Sequence, residues 1–175
     1  TNGVSVGHGL SEAPYFIAIK DRSAGLNWRV LQRAMVRYWD SLKLNTNASS
    51  IDDNTVWDDT MPTATVFTLG DHVDVNTSGN DYVAYCFHSV EGYSKIGQYT
   101  GTGDTDFGTF VYTGFRPAWL IVKSTSASGD WPITDDKRNT YNLVDLTLEA
   151  NDSVAEVTVS VLDYLSNGFK FIGTN

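Results

Sequence analysis

Pro14-Tyr-Phe-Ile-Ala-Ile-Lys20 and Pro117-Ala-Trp-Leu-Ile-Val-Lys123 share one pattern: proline, any residue, an aromatic, three mostly aliphatic residues, lysine. They stand 103 positions apart, and the match continues beyond them. Ser23-Ala24 faces Ser126-Ala127, and Trp28 faces Trp131, at the same offset. Gly9-Leu10 and Gly114-Phe115 precede the two prolyl segments, with two extra residues in the first copy. Leu42-x-Leu44-x-x-Asn47 echoes Leu146-x-Leu148-x-x-Asn151 one residue out of step, and Val66–Gly70 falls opposite Phe169–Gly173. So many anchors at one spacing mark an internal duplication, which organises the reading of everything else.

Each copy reads as short strands separated by turn residues. The prolyl segments are unbroken apolar runs, the signature of strands covered on both faces. Proline can open such a strand because no ladder donor is needed there. Tyr99-Thr-Gly-Thr-Gly103 reads as a turn and Phe110–Tyr112 as a strand, while Asn167-Gly168 signals a hairpin. Val30, Leu31, Ala34, Met35, Tyr38, Trp39 and Leu42 fall at helical spacing. Their counterpart, Pro132-Ile-Thr-Asp-Asp-Lys-Arg138, shows no such stripe, so a strand over 28–32 followed by a loop or one helical turn is expected. The expected fold is all-β: two tandem β-sandwich-like units, residues 1–94 and 95–175, with at most short helical turns.

Superposing the copies exposes two gaps. The closing strand over 82–90 of the first has no equivalent in the second, and the opening segment Lys95-Ile96-Gly97-Gln98-Tyr99 of the second has none in the first. A sheet lacking an internal strand leaves unpaired N–H and C=O groups and an apolar slot, which is costly unless filled. Either the chain is a window on a longer tandem array, or neighbouring subunits complete one another by strand donation and edge pairing. On the second reading the assembly residues are Lys95, Ile96, Gly97, Gln98 and Tyr99 with Phe169, Lys170, Phe171 and Ile172. A head-to-tail contact that does not close generates a fibre.

Composition bounds the partners. The 175 residues hold 12 basic and 21 acidic side chains, a net charge of −9, and 41% are hydrophobic. That size and apolar content support a real core. The acidic surface repels nucleic acid and anionic membrane. The longest apolar runs are far too short to cross a bilayer, and no basic-then-apolar leader opens the chain. One cysteine, Cys86, forms no internal disulfide, and no Cys/His cluster has zinc spacing.

Tyr82-Val-Ala-Tyr-Cys-Phe87, Tyr99-Thr-Gly-Thr-Gly103, Phe110-Val-Tyr-Thr-Gly-Phe-Arg-Pro117, Gly129-Asp-Trp131 and Leu165-Ser-Asn-Gly-Phe-Lys170 together resemble a repeat domain of bacteriophage tail-fibre-like and virion-associated proteins from marine and freshwater phages. The resemblance covers nearly the whole chain. It implies a β-rich structural or host-facing module, extracellular or on a virion surface, with no catalytic residues to carry over.

The remaining motifs have plainer readings. Gly3-Val-Ser5-Val-Gly7 matches a nucleophile elbow, with His8 adjacent. The elbow needs a buried strand before it and a helix after it, and here an extended run with Pro14 follows. Cys86 and His88 share a strand face, but the tyrosines and Phe87 around them make an apolar setting in which a thiol is inert. Asp52-Asp53, Asp58-Asp59, Asp104-x-Asp106 and Asp135-Asp136 offer oxygen ligands for Ca²⁺, without the spacing of an EF-hand. Cofactors are therefore not expected. Asn47, Asn76 and Asn151 each open a glycosylation triplet. Trp28 and Trp131 read as core anchors, Lys20 and Lys123 as snorkelling strand ends. Trp39 and Trp57 have no counterparts and are the candidates for stacking on a glycan. The expected function is a non-enzymatic structural subunit that builds a fibre with copies of itself; the alternative is a carbohydrate-binding, host-receptor module.

Overall fold

In the structure of the protein, a computed structural model, residues 3–35, 40–104 and 108–172 are described, without the side chains of 159–161. The chain divides into two compact units, Thr1–Ser89 with Ser124–Gly129 and Val90–Lys123 with Asp130–Asn175. The fold is all-β, as expected, with antiparallel sheets throughout.

In the first unit, β2 (Phe16–Asp21) lies between β3 (Arg29–Gln32) and β6 (Tyr82–Phe87), and β4 (Leu42–Lys43) extends the sheet to the order β4-β3-β2-β6. A second, two-stranded sheet pairs β1 (Val4–Gly7) with β5 (Val66–Leu69). Alternate residues of a strand face opposite sides, so Ile17, Ile19 and Leu31 meet Phe67 and Leu69 between the sheets. On the reverse face Ala18 and Val30 are buried as well, which explains the unbroken apolar run of β2. The helical stripe resolves the same way: Val30 and Leu31 are buried on opposite faces of β3, Met35 follows a turn and Leu42 begins β4. Tyr38 and Trp39 lie outside the described residues.

A single helical turn, α1 (Asn54–Trp57), fills the rest of that core with Val56 and Trp57. Its start is set by Asp53, whose side chain accepts from the Thr55 N–H, and its end by Asp58 in the left-handed region at φ 52°. The chain leaving β5 presses on this turn. Gly70 N–H donates to the Val56 carbonyl at 2.9 Å, and a Cβ on Gly70 would stand 2.0 Å from the Thr55 carbonyl oxygen.

The second unit is one six-stranded sheet. Its strands are β7 (Phe110–Tyr112), β8 (Trp119–Ile121), β9 (Pro132–Asp135), β10 (Val144–Glu149), β11 (Val157–Leu165) and β12 (Gly168–Phe171), in the order β7-β12-β11-β10-β9-β8. Val111 near one edge and Leu120 and Val122 near the other pack on a single cluster of Val144, Leu162, Tyr164, Phe169 and Phe171, so the sheet curls over its own core. Between β4 and β5 the first unit places α1; between β10 and β12 the second places β11, which joins what the first unit keeps as two sheets.

Some hydrogen bonds of the first unit have a matching bond within the second. Trp28 N–H donates to the Asn45 side chain at 2.9 Å, and Asn45 donates to Asn27; Trp131 N–H donates to Asn151 at 2.7 Å, and Asn151 donates to Asp130. Arg33 N–H donates to the Tyr15 carbonyl, and Asp136 N–H to the Ala118 carbonyl.

The structure also corrects several expectations. Asn45, not Asn47, does the work of Asn151. Phe67 and Leu69 face their core as Phe169 and Phe171 do, so these strands correspond one residue away from the expected register; in a strand that slip reverses every side chain. Lys95–Tyr99 forms no strand, because Tyr99 instead anchors against Phe169 and Phe171. The turn after β11 is Ser166-Asn167, and Gly168 already pairs with Leu165. A Cβ there would lie 2.2 Å from the Val111 carbonyl oxygen, which is why glycine stands at that position. Trp131 is a core residue, but Trp28 is only half-buried.

Gly70→Ala is expected to lower the unfolding free energy by about 1–3 kcal/mol. Gly25→Ala, whose Cβ meets nothing within 4 Å, should leave stability unchanged or raise it by a few tenths of a kcal/mol at most; urea denaturation distinguishes the two.

Candidate functional site

Outer sheet strands with exposed aromatics mark the surface of both units: β6 in the first, and β7 and β8 in the second. In the β8–β9 ladder Val122 N–H donates to Pro132 at 3.1 Å and Asp136 N–H to Ala118 at 3.0 Å. Amide groups of alternate residues point the same way in an antiparallel strand. Leu120 therefore also addresses β9, while Trp119 and Ile121 turn their N–H and C=O groups to the open side. By the same rule the Arg22 N–H bond to Asp81 directs Val83, Tyr85 and Phe87 of β6 at β2. It leaves Tyr82, Ala84 and Cys86 with backbone groups facing outward. Among the described residues β6 pairs only with β2, and β8 only with β9.

Neither edge carries a charge: β6 reads Tyr-Val-Ala-Tyr-Cys-Phe and β8 Trp-Leu-Ile. Both display large apolar side chains, with Trp119 56%, Phe87 52% and Tyr85 50% exposed. Tyr85 stacks on Trp28 with ring centroids 6.2 Å apart, and Phe87 leans on Phe16 at 6.1 Å. The expectation that Trp119–Val122 is covered on both faces is thus met on one face only, since Leu120 and Val122 pack inward while Trp119 stands out.

The residues expected to assemble are elsewhere. Phe169 and Phe171 are buried in β12, which is paired on both sides, to β11 and β7. Lys170 shares that doubly paired strand, and Ile172 follows it directly. Lys95, Ile96, Gly97 and Gln98 precede Tyr99 outside any strand. Trp57 is fully buried, so it meets no glycan in the folded protein; its lack of a counterpart reflects its place in α1. Trp39 lies outside the described residues.

Sequence reasoning missed a buried charge cluster. Arg29 on β3 donates through Nε to Asp74 Oδ2 at 2.6 Å, and both residues are about 2% exposed. Arg29 Nη2 lies 2.8 Å from His72 Nε2 and 3.9 Å from Asp53, the cap of α1. His72 Nδ1 accepts the Asp74 N–H at 3.0 Å, and Asn27 also donates to Asp74. Burial raises the Asp74 pKa, but the Arg29 hydrogen bond and charge, with Asn27, outweigh it and hold the carboxyl below its usual range. Burial lowers the His72 pKa, and the Arg29 charge lowers it further. The cluster ties β3, α1 and the loop after β5 together, with each group committed to another. Only the spacing of Arg29, between apolar residues of a buried strand, hints at it in the sequence.

The other motifs are structural. Ser5 lies exposed in the middle of β1, and His8 bonds Leu10 N–H and the Thr63 carbonyl, so no elbow forms. Cys86 packs against the core and burial raises its pKa, while His88 contacts the Ser89 carbonyl. Lys20 Nζ donates to the carbonyls of Asp21 and Ala24, a strand end tied to its own turn. Among the described residues no group of three or more His, Cys, Asp or Glu side chains converges as a metal site, and no helix is long and apolar enough to cross a membrane. The Asn76 amide donates to Gly70 and that of Asn151 to Asp130, so a glycan on either would break an internal bond; Asn47 is exposed.

The chain belongs to the family defined by a domain of unknown function, DUF7483, which it matches over residues 1–175. No curated protein and no solved structure matches it.

The charge cluster predicts a pH dependence. An unfolded chain protonates His72 near its ordinary pKa of 6.5, whereas the folded chain resists. Stability is therefore complete above about pH 6.5 and falls as pH drops below it. A second loss follows below the ordinary carboxylate value of 3.8, where the unfolded state protonates Asp74 and Asp53 before the folded state does. Urea midpoints taken from about pH 7.5 to about pH 5 should fall for the wild type and fall less for His72→Gln.

Proposed function

We propose that the protein is a non-enzymatic structural module that joins head to tail with copies of itself through sheet edges, forming a fibre at an extracellular or virion surface. The observation that carries this reading is the open edge of β8. In the first unit Phe16 and Ala18 of β2 direct their backbone groups at β6; 103 positions later Trp119 and Ile121 of β8 direct theirs at no strand among the described residues. Proteins that stay monomeric protect such edges with lysine, proline, bulges or covering loops. Here the strand is uncharged and opens on an exposed tryptophan. A heterologous contact between two different edges repeats without closing.

A second reading, carbohydrate binding, is favoured by one observation: the half-buried Trp28 stacked on the exposed Tyr85, with Asn27 and Asn45 alongside. Aromatic faces beside amide side chains suit sugar rings, whose C–H faces stack and whose hydroxyls need polar partners.

Sedimentation velocity over a concentration series, with negative-stain microscopy of the same samples, tests the first reading. Mass that grows with concentration, and filaments on the grid, are expected; a monomer at every concentration refutes it. A glycan array probed with wild type and Tyr85→Ala tests the second, with signal expected only for the wild type.

A further inference from the structure

We infer that His72 is an acid-sensitive latch: uncharged, it holds residues 71–79 as a strap against β3 and α1, and on gaining a proton it lets that strap come away while the sheets stay paired. The latch lies wholly within the first unit and works in a single copy, so it stands apart from assembly.

An imidazole has two ring nitrogens, and in His72 both face donors. The Asp74 N–H points at Nδ1 from 3.0 Å, and Arg29 Nη2, which can only donate, stands 2.8 Å from Nε2. A neutral ring carries one proton and can accept at one of the two positions; a charged ring carries two and can accept at neither. Protonation therefore sets N–H against N–H on both sides of the ring and adds a second cation beside a buried guanidinium. Four charged groups act on the ring: Arg29 from β3, Lys43 from β4, Asp53 from the cap of α1 and Asp74 from its own loop. The carboxylates attract a charged ring, but Asp53 Oδ2 is 3.9 Å from Nε2. Asp74 Oδ2, 3.7 Å from Nδ1, already holds Arg29 at 2.6 Å. Burial and the Arg29 charge outweigh them and keep the His72 pKa below its ordinary 6.5.

The strap is the part of the first unit best able to move by itself. No residue between β5 and β6 lies in a strand, and the Val75 and Asn76 amides close a turn on the His72 carbonyl. The ties to the rest of the unit gather at the ring. His72 N–H donates to the Thr55 carbonyl at 2.9 Å, and Asp74 takes the Arg29 and Asn27 donors. Val75 is the one buried apolar side chain of residues 71–79. Few buried apolar contacts, and hydrogen bonds outside any ladder, mark a segment that opens at less cost than global unfolding. Beyond the strap Asn80 donates to Asp21 and the Asp81 N–H to Ser23, so β6 keeps its own anchor. Arg29 keeps a partner as well, since Asp53 on the α1 cap stands 3.9 Å from Nη2.

An open strap returns His72 to water and to its ordinary pKa of 6.5. The strap is therefore fully held above about pH 6.5, and opening gains as pH falls below it, by about tenfold per pH unit at most for one proton. Native-state hydrogen exchange, read by NMR over a urea series, tests this. The amides of His72, Asp74 and Val75 should show less protection than those pairing β2 with β3, and almost no urea dependence, because a strap exposes little surface. From about pH 7.5 to about pH 5.5 their protection should fall by up to about tenfold relative to His72→Gln, which can still accept but never gains the charge. His72→Lys, a fixed cation, should show the low protection already at about pH 7.5. Strap amides that match the β2–β3 amides in protection and urea slope overturn the latch, for acid then weakens the unit as a whole. Equal pH profiles for wild type and His72→Gln overturn it too, because another group then titrates. The ring's own titration, followed by its Cε1–H signal in the wild type, decides without any variant: it should lie below 6.5, and a value at or above 6.5 refutes the latch.

Discussion

A backbone amide removed from water needs a partner, and in a sheet that partner is a neighbouring strand on each side. This requirement shapes the protein more than any side chain does. β2 meets it fully, between β3 and β6, and its side chains are buried on both faces. β8 begins with the same pattern of proline, aromatic and aliphatic residues but has a neighbour on one side only among the described residues. Its tryptophan stands in solvent where its counterpart Phe16 packs against Phe87. The difference between the two units is thus one of pairing before it is one of sequence.

The first unit closes its core by a different device. Where the second unit runs β11 through the middle of its sheet, the first inserts one helical turn and uses Trp57 as a plug. The Trp57 indole N–H has no partner among the described residues, so this ring contributes through volume and apolar contact rather than hydrogen bonding. The plug needs its flanks fixed. Asp53 caps the turn on one side, the backbone of Gly70 presses on the other, and Arg29 draws Asp53 and Asp74 toward β3. Breaking a buried ion pair by removing one partner costs about 3–5 kcal/mol because it strands the other charge. At neutral pH the loop after β5 is therefore fastened to the core.

Much of the fold could be read directly from the residues. The prolyl runs, the recurrence of Trp28 at Trp131 and the uniform turn chemistry lead to short strands in two units, because apolar periodicity and turn residues act locally. What could not be read depends on contacts distant in the chain. Trp57 looks like a surface ring because nothing near it in sequence announces α1's place between two sheets. Phe169 and Phe171 look like an open strand until β7, nearly sixty residues earlier, is seen pairing with them. Lys95–Tyr99 looks like a strand until Tyr99 is found on that same aromatic pair. The Arg29 cluster joins residues from three segments, and only folding brings them together. Even the matching register of β5 and β12 hides from a gapless comparison, since one residue decides which face of a strand is inside.

That register shift belongs to a wider property. Counterparts in the two units are 105 positions apart at Val6 and Val111, 103 at Trp28 and Trp131, 106 at Asn45 and Asn151, and 102 at Phe67 and Phe169. The loops lengthen and shorten while the paired strands and the tryptophan–asparagine clamp keep their contacts. The two units thus resemble each other more in which residues touch than in runs of identical letters.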